Sequence, residues 1–226
     1  MSIAFSVNCF ARYMFIPRIS HALAFKMLEQ YLKNTQDLGL VLDPNYDIFK
    51  VDSYLDAYFA RIYKHEIHDD PACSKSLAGF IIKFSDCPVL CISKFQTETA
   101  LSTMEAEIFS LDSFCRELFP IINITLSLGN SVGLPVRVPL MKFSVHEEIA
   151  SAIILVRKLP PKFAPHSKYY STKTIWFFEE INKRNIVLLN TATTYHMGDL
   201  FTKGLPRANF EYLRNKIMGW QFYPIS

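Results

Sequence analysis

Four acids are the residues whose types and placement invite chemistry: Asp56 in YLDAYFA, Glu107 at the end of LSTMEAE, Glu148 in VHEEIA, and Asp199 in MGDLFTK. Each stands on or at the end of a different predicted element. They can meet only if the fold carries those ends together. If it does, four carboxylates offer the hard oxygen ligands that suit two Mg²⁺ ions, or Mn²⁺ in their place, roughly 3.5–4 Å apart. One ion would activate water and the other would stabilise the leaving oxygen of a phosphodiester. That chemistry needs neither histidine nor cysteine.

The local context of Glu107 separates two roles. Ser102 and Glu105 have the spacing of a capping box, in which the serine accepts an amide of the first turn and the glutamate reaches back. Glu107 lies about 200° further around the helix at roughly 100° per residue, so it points away from Glu105. A helix start alone also accounts for an SxxE pair followed by a second Glu.

The surrounding elements read as follows. Ser20 is a plausible N-cap for a helix ending before Gly39, with Ala24, Met27, Leu28, Tyr31 and Leu32 on one face. Residues 48–60 are rich in β formers and contain Asp52 and Asp56. The charged stretch 61–76 reads as a loop. LAGFIIKFS (77–85) and PVLCISK (88–94) flank a short turn and predict a hairpin. A helix follows from Ser102 to about Phe119, then a mixed loop over 120–140 with room for a short strand, where Gly129, Gly133 and Pro135 fall. A strand is predicted over 142–146, a short helical run over 149–156, a helix over 173–183, a strand over 186–189, and helices near 197–203 and 209–218. This order implies an α/β fold with a mixed sheet.

Composition sets the bounds. The chain has 226 residues, of which half are apolar, 19 are Phe and only 7 are Gly, so it can bury one sizeable core. Its net charge of +3 permits a polyanionic partner without requiring one. Five cysteines without CxxC spacing point to reduced thiols in an intracellular protein, cytoplasmic or nuclear. The apolar N-terminus is interrupted at Asn8 and Arg12. It is too short for a membrane helix, lacks a basic start before its apolar run, and suits a segment packed against something upstream.

Two other clusters have competing explanations. His65 and His68 near Asp69, Asp70 and Cys73 could bind zinc, but no second ligand pair follows and a solvated loop explains them. Lys162, Lys168, Lys173, Lys183 and Arg184 surround Tyr169, Tyr170, Trp176 and Phe177. The cations and rings suit either the phosphates of a nucleic acid or a solvated face over core aromatics.

In order along the chain stand PRISHALAFKMLEQYLKNTQDLGLVL, YLDAYFA, KSLAGFIIKF, SKFQTETALSTMEAE, PHSKYYSTKTIWFFEEI and GDLFTKGLPRANFEYLRNKIMGW. With these phrases the chain resembles the ribonuclease H region that ends copia-type retrotransposon Pol polyproteins, together with the last part of the polymerase connection. The resemblance implies a ribonuclease H-like fold, a mixed five-stranded sheet flanked by helices. It divides the chain into 1–45, a remnant of the connection, and 46–226, the ribonuclease H-like domain. It further implies metal-dependent hydrolysis of the RNA strand of RNA–DNA hybrids, with Asp56, Glu107, Glu148 and Asp199 as catalytic metal ligands. Lys168, Lys173 and Lys203 would contact nucleic acid. The partners would be the hybrid and a polymerase domain on another chain, with no membrane and with no polymerase palm in this chain.

The third acid departs from the family's pattern. Glu147, Glu148 and Ile149 stand where an EDN triplet is usual, and a longer side chain displaces a carboxylate by about 1.5 Å, when misplacement on the order of 1 Å can cost ~10²-fold in rate. His166 and Phe178 stand where the family carries Arg. A non-catalytic relic that keeps the fold and nucleic-acid binding is therefore the alternative expectation.

Overall fold

The computed structural model describes residues 2–14, 17–44, 50–60, 75–133, 142–147, 176–177, 179–191 and 196–220. Its centre is a five-stranded sheet in the order β3-β2-β1-β4-β5. The strands are β1 (Lys50–Tyr58), β2 (Leu77–Phe84), β3 (Cys87–Phe95), β4 (Lys142–Glu147) and β5 (Ile186–Asn190). The β1–β2 and β2–β3 pairs are antiparallel, whereas β1–β4 and β4–β5 are parallel. The expected mixed sheet is present.

Local chemistry explains the hairpin. Ser85 and Asp86 both take positive φ, 45° and 70°, the conformation of a two-residue turn whose twist matches that of the strands. The Ser85 amide then donates to the Lys50 carbonyl at 2.8 Å, tying the turn to β1. β2 is buried along its length up to Lys83, as expected for an apolar strand flanked on both sides.

Alternation along β1 divides the core. Val51 and Leu55, with Phe80 and Ile82 of β2, pack against Phe114, Leu118 and Ile122 of the long helix α3 (Thr103–Ser131). Ile81 faces the other way, onto Met197, Leu200 and Phe201 of a 3-10 turn (Met197–Phe201) and onto Leu213 and Ile217 of α4 (Arg207–Met218). The sheet is thus covered on both faces, and β1 carries side chains to each.

Three expectations need correction. α3 runs through Pro120 to Ser131, where a mixed loop was expected. Proline removes one helical hydrogen bond, but Phe119 and Ile122 bury their side chains in the core on either side of it, and this packing outweighs the local break. The segment expected as a helix near 197–203 is only a 3-10 turn, closed by amides of Asp199 and Thr202 on carbonyls three residues back. The apolar N-terminus contains a helix, α1 (Ala4–Ala11), that was not expected.

α2 (Ile19–Asn34) forms where a helix was expected, but its N-cap is Arg18 and Ser20 lies within its first turn; it buries no residue, and Met27 and Leu32 of its apolar face are exposed. The segment after it is fastened to the end of α4. There the Trp220 indole donates to the Gly39 carbonyl at 2.7 Å, and the Val41 amide donates to Met218 at 3.0 Å. Residues 176–177 and 179–183 are helical, in agreement with the helix expected there. Among the described residues no helix is long and apolar enough to cross a membrane.

Phe114 is fully buried, with its ring edge-on to Phe80 at 5.4 Å. Phe114→Ala is expected to cost about 3–5 kcal/mol of stability, read as a lower midpoint in a urea titration.

Candidate active site

The site is assembled around β1 and the 3-10 turn. Asp56 is 3% exposed, and its position on the strand turns its side chain away from α3. Its Oδ2 accepts a short hydrogen bond from the Thr202 hydroxyl, 146 positions away in the chain. Its Oδ1 lies 3.5 Å from Lys203 Nζ. The same ammonium sits 2.9 Å from Oδ1 of Asp199, itself 4% exposed. One lysine therefore bridges two buried carboxylates that come from opposite ends of the domain.

Several contacts hold the turn in place. The Ser93 hydroxyl of β3 donates to the Phe201 carbonyl at 2.6 Å. His196 is fully buried, and its Nε2 is 3.2 Å from the His146 carbonyl at the end of β4, a contact in which the ring nitrogen donates. Its Nδ1 faces Asp199 Oδ1 at 3.8 Å. Tyr54 of β1 stacks on His146 at 4.3 Å and meets His196 edge-on. Gly79, opposite Asp56 in the register, makes room for this packing: a Cβ there would come within 2.5 Å of Thr202 Cγ2 and 2.7 Å of Phe201 Cβ.

Burial pushes the Asp199 carboxyl above its ordinary range, and the Asp56 charge adds to the shift while the Lys203 hydrogen bond and charge oppose it. Burial pulls His146 down, so its neutral form is favoured. Two buried carboxyl groups are thus set against one lysine, and carboxylate oxygens are the donor type that suits a hard divalent cation.

Glu107 reaches this end of the molecule by a different route. Ser102 caps α3 by accepting from the Glu105 amide at 3.2 Å, and Glu105 Oε2 accepts from the Leu101 amide at 2.8 Å, so Glu105 has the capping role expected of it. Glu107 is 1% exposed, next to Ala106, which packs on Ala57. One turn further, the Ser110 hydroxyl donates to the backbone carbonyl of Asp56 at 3.3 Å. Glu107 and Asp56 are held by adjoining backbone, but among the described residues no group of three or more His, Cys, Asp or Glu side chains could hold a metal ion. The described residues bring together Asp56 and Asp199, and they do not close a cluster with Glu107.

Glu148 lies outside the described residues; its neighbour Glu147 ends β4 opposite Leu55, beside Asp56 in the sheet. Ile149, His166, Lys168, Lys173, Phe178 and the His65 and His68 segment also lie outside them. Lys203, expected to contact nucleic acid, instead places its ammonium on the two acids. Of the aromatics near the basic residues, Phe177 is core and Trp176 is 37% exposed, edge-on to Phe119 at 5.5 Å. Thr202 and His196 were missed in the sequence. Lys203 follows Asp199 by four residues, a spacing that signals an ion pair on one helical face.

The sheet order β3-β2-β1-β4-β5, mixed and covered by helices, agrees with the ribonuclease H-like fold expected from the sequence. No protein-family model matches the chain. Over 215 residues, 95% of its length, it is 25% identical to the retrovirus-related Pol polyprotein from transposon TNT 1-94 of Nicotiana tabacum. It spans 15% of that polyprotein's length. The chain is thus similar to part of a Pol polyprotein. Among solved structures it is similar to LC11-RNase H1, isolated from compost by a metagenomic approach, with 11% identity, a TM-score of 0.36, and coverage of 77% of this chain and 99% of that one.

The packing at Gly79 yields a direct test. Gly79→Ala is expected to push the 3-10 turn off β2 and to lower stability by about 1–3 kcal/mol, seen as a reduced denaturant midpoint. Faster hydrogen exchange at the Thr202 and Lys203 amides should accompany it.

Proposed function

We propose that the chain is a metal-dependent nuclease domain of a copia-type retrotransposon Pol polyprotein that hydrolyses the RNA strand of RNA–DNA hybrids. The observation that carries this reading is the convergence of Asp56 and Asp199, both buried and both within reach of one cation. Asp56, Glu107, Glu148 and Asp199 would hold Mg²⁺ or Mn²⁺, two ions in the full site. When bound, the metal supplies a water of lowered pKa and stabilises the leaving oxygen. The chain's own residues do the positioning: Thr202 fixes one oxygen of Asp56, His196 and Tyr54 brace the turn that carries Asp199, and Ser110 locks α3 to β1.

Lys168 and Lys173 would contact the phosphates of the hybrid. Residues 1–45 would derive from the polymerase connection and 46–226 would form the nuclease domain. The exposed apolar face of α2, with Ile19 at 83% and Met27 at 71% exposure, suits a polymerase domain as neighbour.

Incubation of a labelled RNA–DNA hybrid with Mg²⁺ or Mn²⁺ tests the reading. The wild type should cleave the RNA strand, and Asp56→Asn and Glu107→Gln should each slow cleavage by roughly 10²-fold or more. A wild type no faster than the double variant would sink the enzyme reading.

A second reading, a relic that binds nucleic acid without cutting it, is favoured by Glu148 and Ile149 in place of the family's Asp and Asn. In that case salt-dependent binding of the hybrid persists without cleavage. Lys168→Ala and Lys173→Ala should each then lower the slope of log affinity against log salt by about 1.

A further inference from the structure

We propose that Lys203 is a built-in counter-cation that holds the Asp56–Asp199 pair together and that a divalent ion must displace to enter. The inference rests on the metal-site reading above and concerns how that site is regulated.

The geometry supports it at each group. The Lys203 ammonium lies 2.9 Å from Asp199 Oδ1 and 3.5 Å from Asp56 Oδ1, so it occupies the space between the inner oxygens of both acids. Thr202 donates to Asp56 Oδ2, so Lys203 and Thr202 together contact both oxygens of that carboxyl group. Metal and lysine therefore compete for the same atoms.

The stem of Lys203 is built to leave. Its side chain is 27% exposed while those of the two acids are 4% and 5% exposed, so the lysine alone has a path to water. An ammonium on four methylenes is strongly hydrated, and here one cation faces two carboxyl groups. The Lys203 amide stays bonded to the Asp199 carbonyl at 2.9 Å, so the backbone need not move when the side chain swings out. Without metal the lysine keeps two buried carboxylates from repelling each other; with metal it becomes a mobile cation at the mouth of the site.

The test is Mn²⁺ binding by electron paramagnetic resonance on the full chain, comparing wild type, Lys203→Met, Asp56→Asn and the Asp56→Asn/Lys203→Met double variant. Loss of the competitor should tighten Mn²⁺ binding by roughly tenfold in Lys203→Met, and the gain should vanish in the double variant. Wild-type binding that needs Asp56 but is unchanged or weaker in Lys203→Met would overturn the displacement proposal while leaving the metal site standing. Binding that does not depend on Asp56 in any variant would overturn the metal site, and the proposal with it. A second measurement uses the wild type alone, in case Lys203→Met fails to fold. Acetylation of Lys203 by an N-hydroxysuccinimide ester, followed by mass spectrometry, should speed up several-fold when Mn²⁺ is added. An unchanged rate at Mn²⁺ concentrations that saturate an Asp56-dependent site would count against displacement.

Discussion

The short 3-10 turn seated on β1 is the constraint on which the arrangement of this domain depends. Two carboxylates are buried where it meets the strand, and buried charge is tolerated only when it is paired and hydrogen-bonded. Thr202 and Lys203 meet that requirement from within two consecutive residues, and Ser93 and His196 hold the turn that presents them. Without this seat the Asp56 side chain would be a lone buried charge in the middle of a sheet. The polar contacts are therefore as much a condition of the fold as of any chemistry carried out there.

The sheet places the seat, and α3 braces it from behind. Alternation along β1 gives Leu55 and Ala57 to α3 and gives Tyr54 and Asp56 to the turn, so one strand serves a hydrophobic core and a charged site at adjacent positions. Gly79 on the neighbouring strand removes the one side chain that would keep the turn away. The rigidity of the core on one face is thereby transmitted to the acids on the other. Lys203 is the exception, since it combines a fixed backbone with an ammonium that reaches solvent.

Much of this was legible along the chain. The hairpin, the strand bearing Asp56, the Ser102 cap and the capping role of Glu105 all follow from spacing and local propensity, and each is found in place. The extent of α3 was not legible, because proline and glycine are read as breaks and only the burial of Phe119 and Ile122 against distant strands overrides them. The exposure of Met27 and Leu32 on α2 was not legible either. Periodicity shows that a helix has an apolar side, and it does not show what covers that side.

The residue types along the sequence determined which groups were available: acids in recognisable contexts, a lysine four residues after Asp199, and an element order that admits a mixed sheet. Tertiary structure alone decided which of them meet. Asp56 and Thr202 are 146 positions apart, and no local rule couples them. The same holds for the direction of Asp56, which is set by strand alternation against two different cores, and for the role of Lys203, whose charge is drawn inward because two desolvated carboxylates attract it more strongly than water does.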